Sequence, residues 1–386
     1  MNKLHIFARN VLLILFLTYS FLLANAQGEG TLLMQVSVIL IVLVSIFYFI
    51  KATFFLKIKH NLFFAWTAFT ILNITGFVFT ADYFDKRYYG PFLAVLVCLL
   101  TFYPFYYFSS KNLLSSKILV YFFLVLVPIS IYSFYQNEIR VIESRMNLNT
   151  NVVNNVSYFF VKLMPFVFLI KRKQILSNGL MTLLVIFILL GSKRGAIIVG
   201  LFNLIVYIFF RFKTIEKRKK IQGLILTFIS FVLLFYFTYD FYIENEFLLY
   251  RIESMIDGDS SGRDIIFLNI FETWYNSSNL FNYLFGYGFS ASIVSTGGSL
   301  AHNDWLETLI SFGLMGFLIY LILISISIKE SFNKRKWDTN KRILLKVIVF
   351  SWLITSLFSM WYNNINGFTQ SLLLAYLIGN NKRSLE

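Results

Sequence analysis

The sequence predicts an all-α, polytopic membrane protein with about twelve transmembrane helices and one large loop on the outer side. Three observations predict it. Of 386 residues, 58% are hydrophobic and 14% charged, whereas soluble domains carry about 25% charge. Mean hydropathy is +0.70. Continuous apolar windows near bilayer length recur along the whole chain, where a closed β-barrel would show short alternating segments.

The spans expected are 9–26, 32–50, 61–80, 90–109, 116–135, 156–170, 176–191, 195–210, 221–240, 303–328, 343–361 and 366–380. Alternating them gathers most basic clusters on one side. That side receives Lys3 and Arg9, Lys51, Lys57 and Lys59, Lys111 and Lys117, and Lys171-Arg172-Lys173. It also receives Arg211 to Lys220, Lys329 to Arg342, and Lys382-Arg383. The other side keeps Lys86, Arg87, Arg140, Arg145, Lys193, Arg194, Arg251 and Arg263. Basic residues concentrate on the cytoplasmic side of membrane spans. The expected arrangement is therefore multi-pass with both termini cytoplasmic. The net charge of +15 is the sum of these clusters, which argues against a nucleic-acid partner.

The first span needs a decision. Lys3 and Arg9 precede an apolar run ending Ala24-Asn25-Ala26, in the manner of a signal peptide. The alternation works with this run retained, so it is expected as a span. Between 171 and 211 both flanks are basic. Roughly 60 Å of helix lies between them, twice a bilayer core of about 30 Å. Two spans fit, with a turn at Gly191-Ser192-Lys193-Arg194-Gly195. That turn puts two cations outside, against the bias. Pro91, Pro104, Pro128 and Pro165 lie in or near spans and are expected to kink them. The chain reads as one integral domain, 1–386. Two polar stretches fall outside: Gln136 to Ser157, and a large loop at 241–302.

The large loop and its borders hold the candidate chemistry. His302 opens the next apolar stretch, with Leu306, Leu309, Gly313 and Gly316 at helical spacing behind it. Its near-neutral pKa suits a general base for a sugar hydroxyl; a histidine capping an interfacial helix is the plainer alternative. Ser261-Gly262-Arg263-Asp264 has capping-box spacing, ahead of an amphipathic stretch from Ile265 to Tyr275. A helix N-terminus plus a guanidinium suits phosphate; pairing of Arg263 with Asp257 or Asp259 is the alternative. Arg194, beside Lys193, would clamp an anionic headgroup or snorkel to lipid phosphate. Arg145, Arg251 and Asn303 join Lys193 as candidate substrate contacts. Lys162 within a span is a functional candidate by default. Glu307, Asp304 and Glu272 would pair with the cations. Trp274, Tyr275 and Trp305 fit an interfacial aromatic belt, while Tyr287 would stack on a sugar. Cys98 gives no disulfide and reads as packing. His5, His60 and His302 are too scattered for a metal site.

Three segments together resemble the bacterial O-antigen ligase and O-antigen polymerase superfamily. They are Gly191-Ser192-Lys193-Arg194-Gly195-Ala196; Ser260-Ser261-Gly262-Arg263 with Leu284-Phe285-Gly286-Tyr287-Gly288; and His302-Asn303 followed after nine residues by Gly313-Leu314-Met315-Gly316. The resemblance implies a glycosyltransferase of the GT-C type with its site on the outer face of the inner membrane. It implies an undecaprenyl-diphosphate-linked oligosaccharide as donor, with no cofactor, nucleotide sugar or metal. Arg194 and Arg263 match the family's essential arginines and would hold the diphosphate. His302 matches its conserved histidine and would activate the acceptor. One departure stands out: the family's Arg-x-x-x-Leu pattern has Phe267 at its last position. The implied partners are membrane lipids, a chain-length regulator and a repeat-unit flippase. The Ser-Gly-Arg form favours a polymerase, joining the chain to another lipid-linked repeat. The histidine motif is more regular in ligases, which transfer to lipid A-core. A lipid-linked oligosaccharide flippase would share the spans but carry charge deeper in the membrane. A non-catalytic scaffold would need neither His302 nor paired arginines.

Overall fold

A computed structural model of the chain describes residues 2–25, 30–56, 58, 60–80, 85–148, 154–170, 173–214, 232, 236 and 262–381. The described residues are helical, with no strand among them. In chain order the helices are α1 (Asn2–Ala24), α2 (Leu32–Phe55), α3 (Asn61–Val78), α4 (Lys86–Leu100), α5 (Phe102–Ser110), α6 (Ser116–Leu148), α7 (Ser157–Val167), α8 (Gln174–Leu190) and α9 (Arg194–Thr214). After the undescribed stretch come α10 (Arg263–Tyr275), α11 (Leu280–Phe285), α12 (Ser292–Ser295), α13 (Asp304–Phe332), α14 (Thr339–Phe358) and α15 (Phe368–Asn381).

Seven helices among the described residues are long and apolar enough to cross a membrane, against about twelve expected. The reasons are local. The spans expected at 156–170 and 176–191 are α7 and α8, of 11 and 17 residues. Eleven residues of helix reach only about 16 Å. The segment 343–361 falls in α14, which opens with Lys341 and Arg342 and carries Lys346. The last expected span is the 14-residue α15. Of 221–240, only 232 and 236 are described. Into the polar stretch after 135, α6 runs on to Leu148, where Gln136, two Glu and two Arg are good helix formers. Pro104 explains the break between α4 and α5 at Thr101: it lacks the N–H that would meet the Leu100 carbonyl.

The chain forms two compact units. The first comprises Met1–Arg9, Ile39–Leu114 and Ser260–Glu386; the second comprises Asn10–Val38 and Ser115–Asp259. In the first unit, α13 packs against α3 and α14, and α15 lies along α5. Its core is aromatic. Trp352 stacks on Trp361 at 4.4 Å, and Trp66 meets both edge-on while donating to the Leu99 carbonyl. Cys98 is buried packing, as the sequence suggested. At one end of this unit, His60 lies 2.8 Å from the Lys336 ammonium, which also meets Glu330 at 3.0 Å. At the other end, the Phe289 N–H donates to the Thr80 hydroxyl. The first end carries the basic loops, so α3 and α13 alternate as the charge pattern requires.

In the second unit, α7 packs against α6, α8 and α9. Buried Asn154 ties its upper end together: its amide donates to Glu138 and the Phe134 carbonyl, and its oxygen accepts from Asn137. Gly191 closes on α7 so tightly that a Cβ there would fall 1.8 Å from the Ser157 hydroxyl.

Candidate functional site

The site in the first unit is built on two helix ends. α14 finishes at Phe358, leaving its last carbonyls without intrahelical donors. Arg263 donates to the Phe358 carbonyl at 2.8 Å, and Asn303 donates to that of Leu357 at 3.2 Å. A cation is also favoured at the negative end of the α14 dipole. Adjacent carbonyls thus draw together two segments that are 40 residues apart in the chain. Among the described residues the Arg263 guanidinium meets no carboxylate. Asp257 and Asp259 lie outside the described residues.

Local geometry corrects the expected helix starts. Helix α13 begins at Asp304, not at His302. Asn303 is its cap, accepting from the N–H groups of Trp305 and Leu306. His302 stands before the cap, exposed, at φ +50°. Before Arg263, Gly262 stands at φ +76° with no side-chain bond; Ser261 of the expected capping box lies outside the described residues.

The glycine stripe is also more specific than helical spacing suggested. Gly313 breaks α13 at φ +62°, ψ −162°. The break frees the Ile310 and Ser311 carbonyls, which take the N–H groups of Tyr287 and Gly288 at 2.9 and 3.0 Å. A Cβ on Gly313 would lie 2.4 Å from the Leu284 carbonyl carbon, and one on Gly286 would lie 2.4 Å from the Phe312 nitrogen. The Leu284–Gly288 and Gly313–Gly316 segments are therefore two halves of one backbone joint. Tyr287 completes it, donating its hydroxyl to the Thr273 carbonyl of α10.

Among the described residues Glu307 pairs with hydroxyls and an N–H and not with a cation. It is buried, and its carboxylate accepts from the Ser292 hydroxyl at 2.5 Å, the Ser311 hydroxyl at 2.9 Å and the Ala301 N–H at 3.2 Å. Helix α13 turns it inward, so it meets a hydroxyl of α12 and one of its own helix. Asp304 is equally buried, accepting from Tyr320 and from the Trp361 N–H. Trp274 is a core residue, stacked 4.5 Å from Tyr283, and not a belt residue; Tyr275 is exposed. Ser292 carried no signal in the sequence, because lone serines are everywhere.

In the second unit the α8–α9 turn falls where the sequence placed it. Ser192 holds φ +54°, and Arg194 opens α9 beside part-buried Lys193. Lys162 is fully buried in α7. Arg145 lies in α6, its side chain outside the described residues, as is all of Arg251. Among the described residues no three His, Cys, Asp or Glu side chains group as metal ligands.

Residues 179–321 match the family model described as O-antigen ligase. The match covers less than half of the chain, so it is a similarity to that family. The matched stretch contains Arg194, Arg263 and His302 together with both halves of the glycine joint. No curated protein matches the chain.

Proposed function

We propose that the protein is a polysaccharide polymerase acting on the outer face of the inner membrane. It moves a glycan from undecaprenyl diphosphate to a sugar hydroxyl of another lipid-linked repeat. The observation that carries this reading is the shared helix end: Arg263 and Asn303, the residue after exposed His302, both donate to neighbouring carbonyls of α14. His302 takes the acceptor proton as the new C1–oxygen bond forms. The old C1–oxygen bond breaks, and its electron pair leaves with the diphosphate. Arg263 stabilises the charge that develops there, as fixed cations in a water-poor site do. Arg194, with Lys193 beside it in the chain, is a further cation for the diphosphate, a role carried over from the resemblance. One displacement inverts the anomeric centre. Asn303 acts as the anchor of His302.

The second reading is a ligase acting on lipid A-core, favoured by the His302-Asn303 motif and by the description of the matching family. Reconstitution with purified lipid-linked repeats separates the two. Chain growth without lipid A-core marks the polymerase; transfer only when lipid A-core is added marks the ligase. In either case, His302→Ala and Arg263→Ala should each lower turnover at least 100-fold, a typical scale for losing one acid–base or charge-stabilising group. Full activity in both folded variants would remove these residues from the mechanism.

A further inference from the structure

We propose that the end of the first unit where α1 begins and α2 and α5 finish holds the phosphodiester headgroup of an anionic phospholipid. Buried His5 is the centre of this end. Its Nδ1 lies 2.8 Å from the Tyr48 hydroxyl, and its Nε2 lies 3.2 Å from both the Tyr107 hydroxyl and the Lys51 ammonium. An ammonium only donates, so Nε2 accepts and Nδ1 carries the ring proton. Lys51 is also held over the rings of Phe47 and Tyr107, at 5.4 and 5.2 Å from their centres. One turn after His5, Arg9 donates to the Leu113 carbonyl and ties α1 to the chain leaving α5. Exposed Lys111 ends α5, four residues after Tyr107.

Two observations on this lining identify the occupant. The first is charge. No Asp or Glu stands in 1–9, 47–60 or 106–117. Among the described residues Lys51 and Lys111 meet no carboxylate, and His5 takes one of the three N–H groups of Lys51. A lysine that only snorkelled would keep its head loose in water; this one is fixed by an imidazole and two rings. The second is the apolar border. Helices α1 and α2 are both long and apolar enough to cross a membrane. Leu4 and Phe7 lie within a turn of His5, and Phe47, Ile50 and Phe54 within a turn of Lys51, and all five are exposed. The α2 residues recur at helical spacing on one face, and Lys51 stands within that run. A soluble anion would leave this border bare, whereas an anionic amphiphile covers both parts. Basic pockets between membrane helices hold such headgroups.

The experiment reads binding alone, so it stands apart from the transferase reading. Purified full-length protein in neutral detergent is titrated with phosphatidylglycerol while its melting temperature is followed. The temperature should rise to a plateau, and phosphatidylcholine with the same acyl chains should not raise it. Lys51→Gln and Lys111→Gln should each raise the half-saturating concentration about five-fold, the scale of one basic residue at an anionic surface. Lys334→Gln removes an exposed charge from the loop after α13 and should leave it unchanged. Because Lys111 is exposed, its variant should melt like wild type without lipid, so loss of fold does not imitate loss of binding. Equal shifts in all three variants mean a diffuse surface charge and overturn the proposal. An equal rise with phosphatidylcholine, or displacement of phosphatidylglycerol by an equal concentration of inorganic phosphate, overturns it as well.

Discussion

At the residue scale, Glu307 shows how a carboxylate near a site can serve position instead of charge. It gathers one N–H and two hydroxyls that otherwise would be buried without acceptors, at about 1–3 kcal/mol each. One of those donors is Ala301, so Glu307 fixes the turn in which His302 takes its left-handed φ. Glu307→Gln keeps an acceptor for Ala301, and the serine hydroxyls rotate to suit. Glu307→Leu removes every acceptor. Turnover should fall about 100-fold in the leucine variant, the scale of a 1 Å misplacement, and only a few-fold in the glutamine variant. Modification by diethyl pyrocarbonate gives an independent check. His5 and His60 are buried and His302 is exposed, so His302 should react fastest. Its rate should change in the leucine variant alone. Equal rates in all three proteins would show that Glu307 does not hold the turn.

At the element scale, two features are decided by packing between helices. The backbone joint uses Gly286 at φ +79°, ψ −169° and Gly313 at φ +62°, ψ −162°, a region open essentially to glycine and costing other residues about 1–3 kcal/mol. Each would also drive a Cβ into the other segment's backbone. Alanine at either position should therefore lower the melting temperature in detergent sharply, and a melt like wild type would mean the joint is not made. The paired ends of α3 and α13 set a second test. Burial and the neighbouring Lys336 ammonium hold His60 down at about 4, opposed by Glu330. Its ordinary value is about 6.5. The unfolded chain thus binds the proton first, and stability present above about 6.5 is lost as pH falls towards 4. His60→Gln should flatten the melting temperature between pH 7 and 5 relative to wild type; an identical slope would rule the pair out as its source.

At the scale of the whole molecule, the proposed chemistry calls on residues far apart in the chain, Arg194 as well as Arg263 and His302. Arg194→Ala should by itself lower turnover about 100-fold, the scale of losing one charge-stabilising group. Full activity in the folded variant would remove Arg194 from the mechanism.

Hydrophobicity and charge need no tertiary structure to act. Residue by residue, the chain specified a helical membrane protein, the turn at Gly191–Lys193 and the alternation of α3 and α13. The three motifs that carry the family resemblance were also legible, because glycines, arginine and histidine stand out in an apolar background. Span count was less legible: α7, α8 and α15 are apolar but short, and apolarity serves protein packing as well as lipid. The roles inside the motifs were decided only by tertiary contact. Asn303, not His302, caps α13, Gly313 serves a backbone joint and not a helical stripe, and Glu307 faces serines and not arginines. Each depends on which partner arrives from a distant segment, and hydrogen-bond geometry between segments leaves no periodicity in the sequence.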